Sequence, residues 1–336
     1  MIVRLMRSIW INLSIVTIAL VVLAAISARN LGSPVPNVVS LYAVISLFGI
    51  GIIACIALMS YIFVLMARGE ERPAKAILEQ VRFRCSAGYL VNHIVPIFLT
   101  FATLGAFSSL KVLIPTIYPF AWDSVFSDMD RVLFFGADPW KVTHAFIGPL
   151  GTAFLDSIYG LWLPSFAAVI VGVSLFASDK LKRQFFLSFF TIWIGLGLIL
   201  ATILSSAGPV FLDLISHAYA TRYTDLFPLE NAPSANIAQA YLAQGYLSGG
   251  TGFAKGISAM PSIHVAIAAL YVCAFWPIGR IARAASLAFY LLILVGSVHL
   301  GWHYAWDGIV GTLGTYAIWK FYGRERSRRK RDQAIK

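Results

Sequence analysis

MPSIHVAIAALYVCAFWPIG, residues 260–279, contains no Asp, Glu, Lys or Arg and a single histidine. The run from 262 to 279 is long enough, as a helix, to cross most of the ~30 Å hydrocarbon core of a bilayer. Its first turn is the unusual part. Pro261 fits a helix start, where a missing N–H costs nothing, and Ser262 can hydrogen-bond locally. His264 then sits one turn inside the helix end. Free backbone N–H groups and the helix dipole there favour an anion, phosphate above all. A histidine so placed is costly unless a polar group lies beside it.

Seven further apolar runs flank this one, giving spans at about 9–28, 39–67, 88–109, 150–176, 185–205, 262–279, 284–300 and 303–322. The chain of 336 residues is 59% hydrophobic and 12% charged, too little charge for the surface of a soluble domain. A lipid-facing backbone must satisfy its own hydrogen bonds, so the expected fold is an all-α polytopic membrane protein of about eight transmembrane helices. The net charge of +11 follows topology. Arg4 and Arg7, the connection at 66–85, Lys180, Lys182 and Arg183, Arg280 and Arg283, and the tail RERSRRKRDQAIK all fall on one side of an eight-span chain. The positive-inside rule makes that side the cytoplasm. Both termini are therefore expected inside, and the long loops 110–149 and 206–261 outside. No nucleic-acid partner is implied; the basic tail, 323–336, suits anionic lipid.

Residues 70–84 place Ala74, Ile77, Leu78 and Val81 at helical spacing among charges, an interfacial amphipathic helix. With the first two spans it forms an N-terminal unit, 1–87, ahead of a core at 88–322. Cys55, Cys85 and Cys273 show neither metal nor disulfide spacing. The loop WDSVFSDMDRVLFFGADPW, 122–140, alternates aromatics with acids and suits the headgroup layer, as a structural segment or as a cap over a site.

The second polar cluster is GSVHLGWHYAWDGIVG, 296–311. His303 and Asp307 are four apart, one helical face. A carboxylate there fixes the imidazole tautomer and stabilises its positive form. Thirty-nine residues separate His264 from His303, one helix down and one back, so both reach the same interface. The chemistry this suggests is phosphoryl transfer: His303 as nucleophile, Asp307 orienting it, His264 protonating the departing oxygen. It requires no metal and no cofactor. His299, His303 and Asp307 could instead form a metal site, although Gly301 argues against one continuous helix. Lys255 and Ser262 are candidates for contact with phosphate oxygens. SSAGPV, 205–210, ends a span near the same face and offers no charge.

PSIH followed by HYAWDGIVG resembles the second and third signatures of the type 2 phosphatidic acid phosphatase (PAP2) superfamily. Those signatures are PSGH, then SR, five residues, H, three residues, D. The resemblance gives His264, His303 and Asp307 the roles already assigned, and implies a six-helix core with two added N-terminal helices. The first signature, a lysine six residues before Arg-Pro, is absent; Pro209 stands at its proline, without the arginine. The arginine of the third falls on Ser297, and the glycine of PSGH on Ile263. This pattern, with DSIYGLW at 156–162, is similar to the branch of inositol phosphorylceramide synthases and, more loosely, sphingomyelin synthases. The similarity spans roughly 110–315.

The expected activity is transfer of a phosphoryl or phospho-head group to an alcohol. Simple lipid phosphate hydrolysis is the alternative. A non-catalytic transporter is the reading from a different class; it predicts ionisable groups at mid-membrane and paired halves, neither of which the sequence displays. Expected partners are a phospholipid, sphingolipid or polyprenyl-phosphate substrate. The expected setting is a bacterial inner membrane with the site on the periplasmic side.

Overall fold

The computed structural model of the protein describes residues 2–30, 44, 51, 55–215, 221–226, 229–249 and 255–334, without the side chains of 2–8, 28–30 and 325–334. Every regular element among them is helical. The first is α1, Ile2–Asn30. Trp10, Leu13, Thr17 and Ala24 are buried along one face of it, while Ile11, Ile15, Ile18 and Val22 are exposed on the other. That is the pattern of a helix with one side on protein and one on lipid. After it come α2, Cys55–Ala67, and α3, Pro73–Arg84, which buries no residue and corresponds to the amphipathic stretch. Most of the apolar run at 39–54 lies outside the described residues.

The continuous helix α4, Ala87–Lys111, packs against α1; Thr17 Oγ1 and Thr103 Oγ1 lie 2.9 Å apart across the seam. Pro96 removes the N–H that would bond the Asn92 carbonyl. The Lys182 ammonium takes that carbonyl instead, at 3.1 Å, which explains a lysine only 1% exposed. Two short helices follow, α5 (Asp123–Leu133) and α6 (Pro139–Phe146). The next apolar run divides into α7, Pro149–Gly160, and α8, Trp162–Phe176. Pro164 has no N–H for the Gly160 carbonyl, and the helix breaks there.

Ser178 caps α9, Asp179–Ile203, accepting from the Leu181 amide. Its Phe185, Phe186, Phe189 and Phe190 are buried to 2% exposure or less and form the centre of the bundle with Trp10, Phe107, Phe166 and Leu270. Beyond α10, Pro233–Leu247, the last three helices are α11 (Ile263–Phe275), α12 (Arg280–His299) and α13 (Ala305–Ala334). Helix α11 packs between α12 and α13, α12 on α7, and α13 on α9.

Among the described residues, five helices are long and apolar enough to cross a membrane: 9–27 within α1, α4, α7 with α8, α9 and α12. This makes the chain an integral membrane protein. The expected count of eight is not reproduced. α11 has 13 residues, about 20 Å at 1.5 Å per residue, because it stops at Phe275, two residues before Pro277, where 279 was expected. The last helix begins two residues after His303 and runs on through the basic segment, which was expected as a tail.

Candidate active site

Ser262 is the N-cap of α11: its Oγ accepts from the Val265 amide at 3.3 Å. Its own amide donates to the Asp307 carbonyl at 3.0 Å, so the start of α11 is tied to the start of α13. The hydroxyl expected to touch substrate is thus a helix cap, fully buried and absent from the cavity wall. One residue into α11, His264 lies against two rings supplied by the DSIYGLW segment. Its ring centroid is 5.0 Å from that of Tyr159 and 4.3 Å from that of Trp162. The Trp162 Nε1–H donates to the His264 carbonyl at 3.1 Å.

His303 does not lie on a helix. It sits in a turn that Gly301 makes possible at φ +72, with its amide donating to the Ser297 carbonyl at 3.0 Å. The spacing of four nonetheless brings the pair together, because Asp307 is in the first turn of α13. His303 Nδ1 and Asp307 Oδ2 are 3.1 Å apart, and the same oxygen accepts from the Tyr304 amide at 3.1 Å. This bond occupies Nδ1 and leaves Nε2 for a substrate. The rings of His264 and His303 are 6.0 Å apart. A single phosphoryl group spans such a gap, with an attack distance of ~3 Å on one side and a hydrogen bond of ~2.8 Å on the other.

Both rings line one cavity of about 440 Å³. Its wall is mostly apolar and aromatic, including Phe107, Phe166, Trp193, Phe211 and Trp302. Lys255 reaches it with the ammonium 5.2 Å over the Tyr241 ring. So does Lys111, the last residue of α4, which the sequence pattern did not single out. Gly256 joins these two lysine segments. Its φ is +100, and a Cβ would stand 3.0 Å from the Val112 nitrogen, so only glycine permits this approach.

The loop acids are the frame of the site. Asp123 accepts from the Ala207 and Gly208 amides at 2.9 and 2.8 Å and from the Tyr304 hydroxyl at 2.9 Å. Asp130, seven residues on and so on the same face of α5, accepts from the Ala305 and Trp306 amides at 2.9 and 3.2 Å, capping α13 from outside its own chain segment. Asp156 caps α10 likewise, through the Ser234 and Ala235 amides at 3.0 and 2.8 Å. SSAGPV, which carries no charge, ties the two motifs together through its backbone and one hydroxyl. The Ser206 carbonyl accepts from Ala259, Ser206 Oγ from Met260, and the Val210 amide donates to the Gly301 carbonyl. Gly208, at φ +97, passes so close that a Cβ would meet the Trp302 carbonyl at 2.7 Å.

His299 is turned to a different use. Its Nε2 lies 2.9 Å from Thr152 Oγ1 and its Nδ1 3.2 Å from Thr143 Oγ1. It is fully buried and does not line the cavity. It links α12 to α6 and α7.

Burial pushes the Asp130 carboxyl up to about 7, against the pull of its two amides; the nearby Asp307 adds to the rise. The folded state therefore holds a proton that the unfolded chain, near 3.8, has released. The contribution of Asp130 to stability is fully present below the unfolded value and is lost as pH rises to about 7. Thermal unfolding in detergent at a series of pH values is expected to show this decline in the wild type and a flatter profile in Asp130→Asn.

A family model described as the PAP2 superfamily matches residues 124–321, more than half of the chain. Comparison with curated proteins and with solved structures gives no match.

Proposed function

The chain belongs to the PAP2 superfamily, and from that membership, which carries phosphatase or phosphotransferase chemistry, we propose that it moves a phosphoryl or phospho-head group from a membrane lipid to an alcohol acceptor through a phosphohistidine. The observation that carries the proposal is the pair of imidazoles 6.0 Å apart on one cavity, one of them held by a carboxylate. His303 Nε2 attacks phosphorus; a P–N bond forms and the P–O bond to the leaving group breaks. His264 gives its proton to the departing oxygen. In the second half the acceptor hydroxyl attacks phosphorus, His264 takes its proton, and the P–N bond breaks. Asp307 steadies the charge that His303 acquires, as in other carboxylate-backed histidines.

The expected donor is a phospholipid, sphingolipid or polyprenyl phosphate, as in the inositol phosphorylceramide synthase-like branch. An aromatic cavity of about 440 Å³ has volume for more than a phosphate, which suits a lipid chain or an acceptor beside it. The proposed setting is a bacterial inner membrane, with the site periplasmic, both termini cytoplasmic and the basic end of α13 against anionic lipid; the basic connections and the positive-inside rule support this orientation.

The test uses purified protein with a mixed lipid extract labelled at phosphorus. Transfer predicts new labelled phospholipid species and an acid-labile, base-stable labelled enzyme after a rapid quench. Label released only as inorganic phosphate identifies hydrolysis. Turnover with no labelled enzyme in wild type or in the slowed His264→Ala variant removes the covalent step.

A further inference from the structure

We propose that Lys111 is the cation that grips the phosphate between His264 and His303, an inference that rests on the phosphoryl-transfer reading. The two positions at which the superfamily signatures carry arginine are closed in this protein. Residue 208 is a glycine whose Cβ would stand 2.7 Å from the Trp302 carbonyl, so no arginine fits there. Residue 297 is a serine, fully buried, with its hydroxyl given to the Leu294 carbonyl at 2.8 Å. A site for a phosphate ester at neutral pH needs positive charge from somewhere else.

Lys111 provides it from a different helix. It stands at the C-terminus of α4, where the helix dipole supports a cation, and it lines the same cavity as both histidines. Its side chain makes no hydrogen bond or ion pair among the described residues. The carboxylate on the cavity wall, Asp156, has both oxygens engaged by the Ser234 and Ala235 amides. Lys255 reaches the cavity too, but its ammonium lies over the Tyr241 ring. Lys111 is half-buried, and a partly desolvated ammonium without a counter-ion is stabilised by an anionic ligand. Two more donors on this wall, the Tyr159 hydroxyl and the Trp302 indole N–H, are buried without partners. These two donors share the cavity with Lys111 and suit the oxygens of a phosphate group, whether lipid-borne or free.

The experiment measures tungstate affinity by calorimetry on the purified full-length protein in nanodiscs, with turnover of a lipid phosphate on the same samples. Lys111→Met is expected to weaken tungstate binding at least about tenfold and to raise KM for the lipid, the loss of one charge-assisted contact. Lys111→Arg is expected to recover most of both, which separates lost charge from lost folding. Lys141→Met, which removes a surface lysine paired with Asp138, controls for general electrostatics and is expected to stay within about twofold. Tungstate affinity unchanged in Lys111→Met, with a turning-over wild type, overturns the role of Lys111 and leaves the proposed function standing. Lys111-dependent tungstate binding in a wild type that turns over no lipid phosphate keeps the oxyanion grip and overturns the function. A change in KM alone assigns Lys111 to the lipid-borne group only, and a change in tungstate affinity alone to free oxyanion only; each overturns the shared grip.

Discussion

His303→Ala is expected to lower lipid-phosphate turnover by roughly 10³–10⁶-fold, the range seen when a covalent nucleophile is removed. The ring has Nδ1 on Asp307 at 3.1 Å and faces a cavity it shares with His264, and among the described residues no other histidine lines that cavity. The companion variant His264→Ala gives a different signature. A general acid matters in proportion to how poorly the leaving group departs. In the first half-reaction a lipid alkoxide leaving group is expected to show a loss of about 10²–10⁴-fold; with an aryl phosphate, whose phenolate leaves unaided, that half recovers toward wild type, while breakdown of the phosphohistidine stays slow because His264 is also the base there. His303→Ala stays inactive on both. Rapid-quench measurement of leaving-group release from the two substrates checks this. Equal losses in His264→Ala on both would remove the acid role, and wild-type turnover in His303→Ala would remove the nucleophile.

Asp123→Ala is expected to be the most destabilising single change in the outer frame, by about 3 kcal/mol or more, since each orphaned buried donor costs ~1–3 kcal/mol. Three donors lose their acceptor together: the Ala207 and Gly208 amides and the Tyr304 hydroxyl. The carboxylate is 5% exposed, so water cannot replace it without opening the site. The comparator is Asp128→Ala on the same helix. Asp128 pairs with Arg222 at 2.7 Å, but its side chain is 53% exposed, and such pairs contribute under about 1 kcal/mol. Thermal unfolding in detergent orders the two. Equal shifts would mean that Asp123 is not the clamp between Gly208 and Tyr304. Because Tyr304 adjoins His303, activity in Asp123→Ala should fall at temperatures where the protein is still folded.

The pattern of apolar runs made the class of fold legible, since a helix in lipid needs a long uncharged stretch and little else. The local chemistry was legible as well: a histidine just inside a helix cap, and a second histidine four residues from an aspartate. The spacing carried the His303–Asp307 contact even though the turn at Gly301 replaced the expected helix. The number of crossings was less legible, because hydropathy does not reveal where a helix stops inside an apolar run, as α11 does at Phe275, two residues before Pro277. Lys111 belongs to no motif of the chain, so spacing alone did not single it out, and Ser262 was expected to touch substrate while its hydroxyl caps a helix.

By itself, then, the sequence determined a helical membrane protein and named the three side chains His264, His303 and Asp307, because periodicity and short-range spacing are properties of the chain alone. Tertiary structure alone decided what holds them in place. Asp123, Asp130 and Asp156 act on backbone amides that lie 78 to 176 residues away, and SSAGPV acts mainly through its own backbone. A backbone amide is the same in every residue but proline, so such a bond leaves no mark on the partner's sequence; it exists only once folding has brought the two segments together.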